Sequence, residues 1–303
     1  MKRNQLRLTN LLAIAAISSG LTFSCGDEET LSQENVQTSE SESVLEASTD
    51  EIDNLSEIAL SSQEAASGGR IRALSDDRLQ CDGTTIVFSD VSADKTSGTV
   101  TVTFGPNGCT DNKGNIRKGG FTVRWSGGRW FRAGSVRTIT LNNYTVNDLK
   151  IGGTRTLTCT EVSGTLADFE ITWNVAAEHS LTWPDSRTGT RNVNKTKEWQ
   201  HSPAEDRYVV SNGPASSGAS AAEGTNRYGK SYTVTLTTPL VYTASCVREN
   251  RVFLPVSGVK VVTNVTSGKV LTMDFGDGTC DNSFTVTVDG VTKTLQGKNG
   301  SGD

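Results

Sequence analysis

From residue 81 onward, apolar side chains recur at every second position, and this one pattern excludes most folds. Phe121, Val123 and Trp125 alternate with polar residues. So do Phe169, Ile171, Trp173 and Val175, then Tyr232, Val234 and Leu236, then Phe284, Val286 and Val288. Such alternation sets one strand face on a core and the other in water, as antiparallel sheets allow. Turn pairs break the runs at short intervals: Asp82-Gly83, Asn107-Gly108, Gly119-Gly120, Gly127-Gly128, Gly152-Gly153, Asn212-Gly213, Asp277-Gly278 and Asp289-Gly290. The last, flanked by Thr285–Val288 and Val291–Leu295, carries the two-residue type I′ hairpin signature. With 30 glycines and many β-branched residues, and no long helical periodicity after Cys81, the pattern argues against a parallel α/β sheet. It predicts an all-β body over 81–303, its long antiparallel strands in a meander that forms a sandwich or a rolled sheet.

Ahead of this body the charge is segregated. Lys2, Arg3 and Arg7 give the first seven residues +3, Gly26 to Gly69 hold twelve acids and no Lys or Arg, and the remainder carries +4. A charge of +4 over so long a body is no nucleic-acid footprint. Residues 1–24 have the layout of a secretion signal, with a basic start and an apolar stretch from Leu8 through Ile17 that is too short for a membrane span. Leu21-Thr22-Phe23-Ser24-Cys25 resembles the lipobox of bacterial lipoproteins, in which the cysteine is acylated and becomes the mature N-terminus. The acids that follow, Gly26-Asp27-Glu28-Glu29, resemble the surface-export signal of Bacteroidetes-type lipoproteins. The resemblance implies a lipid on Cys25, an outer-membrane address and a surface-exposed body.

Residues 25–80 are rich in Ser, Glu, Gln and Thr, a composition that buries too little apolar area to offset ordering entropy. They are expected to form a tether, mostly disordered or weakly helical. Leu45, Ile52, Leu55 and Ala59 recur at near-helical spacing, which predicts a short helix within the spacer. In the body, Thr188, Thr190, Asn192, Asn194 and Thr196 oppose Gly189, Arg191, Val193, Lys195 and Lys197. A strand polar on both faces is expected to be largely solvated. Ser211 to Gly229 has the composition of a long loop or hairpin tip.

The body also echoes itself. Ser97-Gly98-Thr99-Val100 leads to Phe104-Gly105 and Cys109, and Ser267-Gly268-Lys269-Val270 leads to Phe275-Gly276 and Cys280. Each F-G-x-x-x-C is preceded by another cysteine, Cys81 or Cys246, and followed by an Asp-Asn pair. We read two related hairpin units, about 81–125 and 246–296, within one domain. These units resemble those of uncharacterised secreted lipoproteins of Bacteroidetes-type bacteria, a likeness that implies an envelope address and no activity. Asp274-Phe275-Gly276-Asp277-Gly278 is similar to a turn of PKD-type β-sandwich domains over those five residues and is taken as a tight turn.

Five cysteines remain besides Cys25. In an oxidising compartment the repeat pairs Cys81 with Cys109 and Cys246 with Cys280, leaving Cys159 as a buried inert thiol. Zinc is disfavoured because there is no C-x-x-C pair and the two histidines lie far from the cysteines. His179 and His201 lack a G-x-S-x-G partner and are placed at exposed strand or loop positions. Asp168, Glu170, Glu178 and Asp185 are candidate glycosidase carboxylates with nothing to separate them from a solvated sheet face. Asp274, Asp277 and Asp281 make calcium a minor hypothesis. Trp125, Arg129, Trp130 and Arg132 form the candidate ligand surface, for sugar stacking or an anionic glycan. The sequence therefore points to a lipid-anchored envelope protein that meets its membrane through the lipid and is not an enzyme. It has an interaction or structural role with glycan or protein partners, no nucleic acid and no required cofactor. Carbohydrate binding or processing is the alternative, and exposed tryptophans on one sheet face would favour it.

Overall fold

The computed structural model describes residues 31–66, 76–129, 131–214, 220–249, 252 and 254–297. Cys25, the signal segment and Trp130 lie outside them.

The chain begins with helix α1 (Gln33–Ala66) and continues in strands β1 (Thr85–Ser89), β2 (Gly98–Thr103), β3 (Cys109–Thr110), β4 (Ile116–Ser126), β5 (Val136–Val146), β6 (Leu149–Gly164), β7 (Phe169–Thr182) and β8 (Thr188–His201). After these come β9 (Asp206–Asn212), β10 (Ala222–Thr225), β11 (Ser231–Thr243), the short helix α2 (Ala244–Glu249), β12 (Ser257–Asn264), β13 (Val270–Asp277), β14 (Ser283–Val288) and β15 (Val291–Gln296). All fifteen strands belong to one antiparallel sheet, in the order β1-β2-β4-β5-β6-β7-β8-β10-β11-β12-β13-β14-β15, with β3 beside β4 and β9 between β8 and β11. The expected all-β antiparallel meander is present. The long β8 is served by two short strands: β10 pairs its first half and β9 its second.

The sheet is rolled, and α1 lies inside the roll. Every residue from Ser41 to Thr49 is buried, which a helix lying on one sheet face cannot achieve. The helix meets β2 on one side and β13 and β14 on another. The segment expected to be a tether with a short helix is therefore, over Gln33–Ala66, one long helix at the centre of the body. Composition misled because the acids of α1 are neutralised by partners distant in sequence. The apolar stripe over Leu45, Ile52, Leu55 and Ala59 was the correct signal. It packs into one apolar cluster with β2, β4, β5, β6 and β7, while Ala47 joins a second cluster built from Ala177 of β7, Val193 of β8, Val210 of β9 and the strands β10 to β15.

The pairing also fixes the two ends of the roll. The turns β5–β6, β7–β8, β10–β11, β12–β13 and β14–β15 lie at one end, and the turns β4–β5, β6–β7 and β8–β9 lie with α2 at the other. Asn226 in the β10–β11 turn donates from Nδ2 to Thr38 Oγ1 at 3.4 Å, so the N-terminal half of α1 sits towards the first end, here called the entry end. Arg137, near the far-end start of β5, meets Glu57 in the second half of the helix.

Several turn assignments change. Asp289-Gly290 has φ of +52° and +84°, as a type I′ hairpin requires. The same geometry joins β5 to β6 through Asn147-Asp148, at +46° and +68°, a turn the sequence reading passed over because it lacks glycine. Gly119-Gly120 and Gly152-Gly153 are not turns. The first pair makes a bulge in β4, where the register with β5 shifts between Lys118 and Gly120. Gly153, at φ +104°, lies inside β6, where a Cβ would stand 1.9 Å from the Glu178 carbonyl oxygen. Ser211–Gly229 is not one loop, since it contains the end of β9 and all of β10.

The position of α1 is testable. Leu55, fully buried, should cost about 2–5 kcal/mol when replaced by Ala, read from the urea midpoint. A loss below about 0.5 kcal/mol, the range of surface substitutions, would place the helix outside the roll.

Candidate functional site

Facing the apolar stripe of α1 from its opposite side is a stripe of carboxylates. Glu42, Glu46, Asp50, Asp53 and Glu57 are spaced by four, four, three and four residues, which aligns them along one helix face. In a solvated helix they would face water. Here the inward phases of β5, β6, β8 and β12 supply cations among their apolar residues: Arg137 beside Ile139, Arg155 beside Leu157, Arg191 and Lys195 around Val193, and Lys260 beside Val262.

The pairing is close. Arg155 donates from Nε to Asp53 Oδ1 at 2.7 Å and from Nη2 to Oδ2 at 2.8 Å, a bidentate fork. Lys197 stands 3.5 Å from the same carboxylate. Glu46 accepts from Lys260 Nζ at 2.8 Å, from Arg191 Nη2 at 3.2 Å and from Lys195, while Arg191 also donates to Glu42. On a third face, Glu51 receives Arg117 and Arg78, and Arg117 reaches Asp111 at 3.0 Å. Burial alone would raise Glu42, Glu46 and Asp53. For Glu46 the cations Lys195, Lys260 and Arg191 outweigh it and hold the group well below the usual carboxylate range. Glu42 and Asp53 are lowered against the same burial, by Arg191 and Lys260 and by Arg155 and Lys197. Burial pushes Lys195 down to about 8, leaving it charged at neutral pH.

Asp50 is the exception. Burial raises it, and the charges of Lys197 and of Arg155, which stands 3.9 Å away, only partly offset that. Together with Asn54, Glu57, Lys197, Tyr208 and Tyr242 it lines a cavity of about 30 Å³, the scale of a water or two rather than of a substrate. Burial and then the charge of Asp50 push the Tyr242 hydroxyl well above its ordinary value.

A second concavity, of about 410 Å³, opens at the far end between the β6–β7 and β8–β9 turns. Asp168, Glu170, Gln200, His201, Glu205 and Arg207 line it, and Phe169 stacks on His201 with ring centroids 4.8 Å apart. Behind that pair, Phe169 meets Trp199 edge-on at 4.9 Å and Trp199 stacks on Tyr208.

The residues singled out from sequence scatter. Trp125 is buried under Gly98 and edge-on to Phe88, so it cannot belong to a ligand surface. Arg129 and Arg132 are exposed, and Arg129 lies over Phe131 at 5.7 Å. Trp173 and Trp183 are also buried, and Trp199 is half-buried. The two disulfides Cys81–Cys109 and Cys246–Cys280 form, and Cys159 is a buried free thiol. The oxygens of Asp274, Asp277 and Asp281 accept from Gly276, Thr279 and Ser283 in their own turns. Among the described residues no group of three or more His, Cys, Asp or Glu is arranged to hold a metal.

Two placements need correction. His179 is not exposed: it lies inside β7 with Nδ1 3.3 Å from the Gly152 carbonyl oxygen, and burial, then Arg155, lower it to about 4. β8 is not a solvated strand, because Arg191 and Lys195 on its inward face are buried against α1. The missed signal was a cation repeatedly occupying the apolar phase of a strand. No family model, curated protein or solved structure matches this chain.

Two predictions follow from the ionic layer. Replacing Glu46 by Ala leaves Lys195, Arg191 and Lys260 short of a buried counter-charge and should cost about 3–5 kcal/mol. Lys118→Ala, at an exposed pair with Asp148, should stay within about 0.5 kcal/mol. The pH profile has a definite sign. His179 is neutral in the fold down to about 4, whereas an unfolded histidine takes its proton near 6.5, so the unfolded state binds more protons between these values. Stability should fall by about 3 kcal/mol as pH drops through that window. The depressed Glu42, Glu46 and Asp53 contribute stability above their unfolded pKa of about 4.3 (Asp about 3.9), lost as pH falls further. Urea titrations of His179→Gln should lose most of the parent's fall between pH 6.5 and 4.5, and the raised Asp50 should tilt what remains the other way. A slope equal to that of the parent would rule out the histidine as its source.

Proposed function

We propose that this protein is a lipid-anchored envelope component, held by an acyl chain on Cys25 and displayed at the outer surface, whose role is structural or interactive rather than catalytic. The observation that carries this reading is that the interior of the roll is filled by the chain's own helix. A rolled sheet that houses a substrate keeps a lumen for it. Here α1 and its ion pairs take that space, and the carboxylates inside, Asp50 apart, are bound closely to cations instead of being poised for proton transfer. Buried Trp125, Trp173 and Trp183 weigh in the same direction, since a glycan-stacking surface needs exposed rings.

The far-end concavity supports the alternative, carbohydrate binding, because it sets the Phe169–His201 stack among planar polar side chains. Glycan-array screening of the chain and of Glu170→Gln separates the two: selective signal lost in the variant would move carbohydrate binding ahead.

The anchor and address are tested by protease shaving of intact cells, with mass spectrometry of released and retained peptides. Peptides from the surface turns, including the fully exposed Leu166 tip, should appear in the medium while an acylated Cys25 peptide stays with the cells. Release only after the outer membrane is broken would place the protein inside the envelope. An unmodified Cys25 peptide would end the anchor reading.

A further inference from the structure

The two ends of the roll differ in charge. At the entry end the exposed Lys113, Lys118, Lys150, Arg187, Lys230, Lys269 and Lys293 sit on or beside the turns, against Glu34, Asp82, Asp148, Asp185 and Asp289. At the far end Asp90, Asp94, Asp168, Glu205 and Asp281 occupy the turns, against Lys95, Arg129 and Arg132. The far-end walls add Glu161, Glu170 and Glu198; burial and then the charges of Glu170 and Glu161 raise Glu198. Among the described residues the roll is thus basic at one end and acidic at the other. Such a polarity orients a molecule in the field of a charged surface.

The entry end also carries apolar side chains. Val265 and Val270 flank the β12–β13 turn and are 59% and 44% exposed. The Val265 amide donates to the Ser231 carbonyl oxygen at 2.9 Å, which docks this turn against the β10–β11 turn and places Val265 near Lys230. Lys269 lies between the two valines in sequence and pairs with Asp289 at 2.9 Å. Two exposed valines on a hairpin tip, beside Lys230 and Lys269, match an interface with anionic headgroups, where apolar groups enter the boundary and each nearby cation adds attraction.

We infer that the entry end of the roll, through the β10–β11, β12–β13 and β14–β15 turns, rests on an anionic lipid surface. The inference deepens the lipid-anchor reading and rests on it in one respect. The chain from Cys25 to Gln33 spans at most about 29 Å, and α1 begins on the entry side, so an acylated Cys25 would keep that end within reach of the membrane. The charge polarity and the exposed valines are independent of acylation. The acidic far end, with its open concavity, then faces away from the bilayer.

The test uses the chain as purified from the envelope, carrying a single added cysteine at Val265→Cys or Leu166→Cys. An environment-sensitive dye on that thiol is exposed to a lipid-borne quencher in phosphatidylglycerol vesicles and in phosphatidylcholine vesicles. The dye at position 265 should be quenched several-fold more than the dye at 166. The difference should be larger on phosphatidylglycerol and shrink in molar salt, where screening shortens to about 3 Å. Lys230→Glu with Lys293→Glu should reduce quenching at 265 several-fold. Equal quenching at both positions, stronger quenching at 166, no quenching at all, or indifference to lipid charge would each overturn the inference. The mass of the Cys25 peptide is read separately. An unmodified peptide with quenching at 265 ends the anchor and keeps the lipid-facing surface, whereas an acylated peptide with quenching at 166 does the reverse.

Discussion

The protein is organised around carboxylates that have been taken out of water. Moving an ionised group into a protein interior costs several kcal/mol even after relaxation, and α1 carries Glu42, Glu46, Glu51 and Asp53 into such a place. Each is tolerated only because a strand brings a cation to it, and each cation is tolerated for the converse reason. Arg117 from β4, Arg155 from β6, Arg191 and Lys195 from β8 and Lys260 from β12 reach the helix from around the roll. The sheet curvature and the helix position are therefore one constraint. A sheet lined with these cations has no favourable closed form without the helix, and the helix has no reason to leave water without the sheet.

Hydrophobic burial supplies most of the stabilisation and the ions supply register. One apolar cluster gathers β2 to β7 around Leu45, Ile52 and Leu55, and another gathers β8 to β15 with Ala177 of β7. Either would permit the helix to slide or turn by a residue at modest cost. The bidentate fork of Arg155 on Asp53 and the three cations on Glu46 do not, since a shift of one residue rotates the acidic stripe by about 100°. The two disulfides reinforce opposite ends: Cys81–Cys109 joins the chain ahead of β1 to β3, and Cys246–Cys280 joins α2 to the turn after β13. Each closes a segment that the sheet alone leaves at its margin.

Much of the body was legible. The alternation at Phe121–Trp125, Phe169–Val175 and Phe284–Val288 named buried faces correctly, because a strand's period of two depends only on local backbone geometry. The Asp289-Gly290 hairpin followed from the same locality. Gly119-Gly120 and Gly152-Gly153 did not, because a glycine pair permits a turn and an in-strand bulge alike, and the partner strand decides between them. Of the candidate surface, Arg129 and Arg132 could be placed outside. Trp125, assigned to that surface because of its arginine neighbours, lies on the apolar phase of β4 and belongs to the core.

Composition, strand periodicity, the Asp289-Gly290 hairpin and the cysteine pairing were set by the sequence alone, because each is a property of neighbours in the chain or of a short repeat. Whether the acids after Gly26 meet water or cations was not. Glu42 and Arg191 are 149 residues apart, and Glu46 and Lys260 are 214. Each alone looks like an ordinary surface charge. Only the rolled sheet brings them together, and that proximity, absent from any local window, turns an apparent spacer into the axis of the fold.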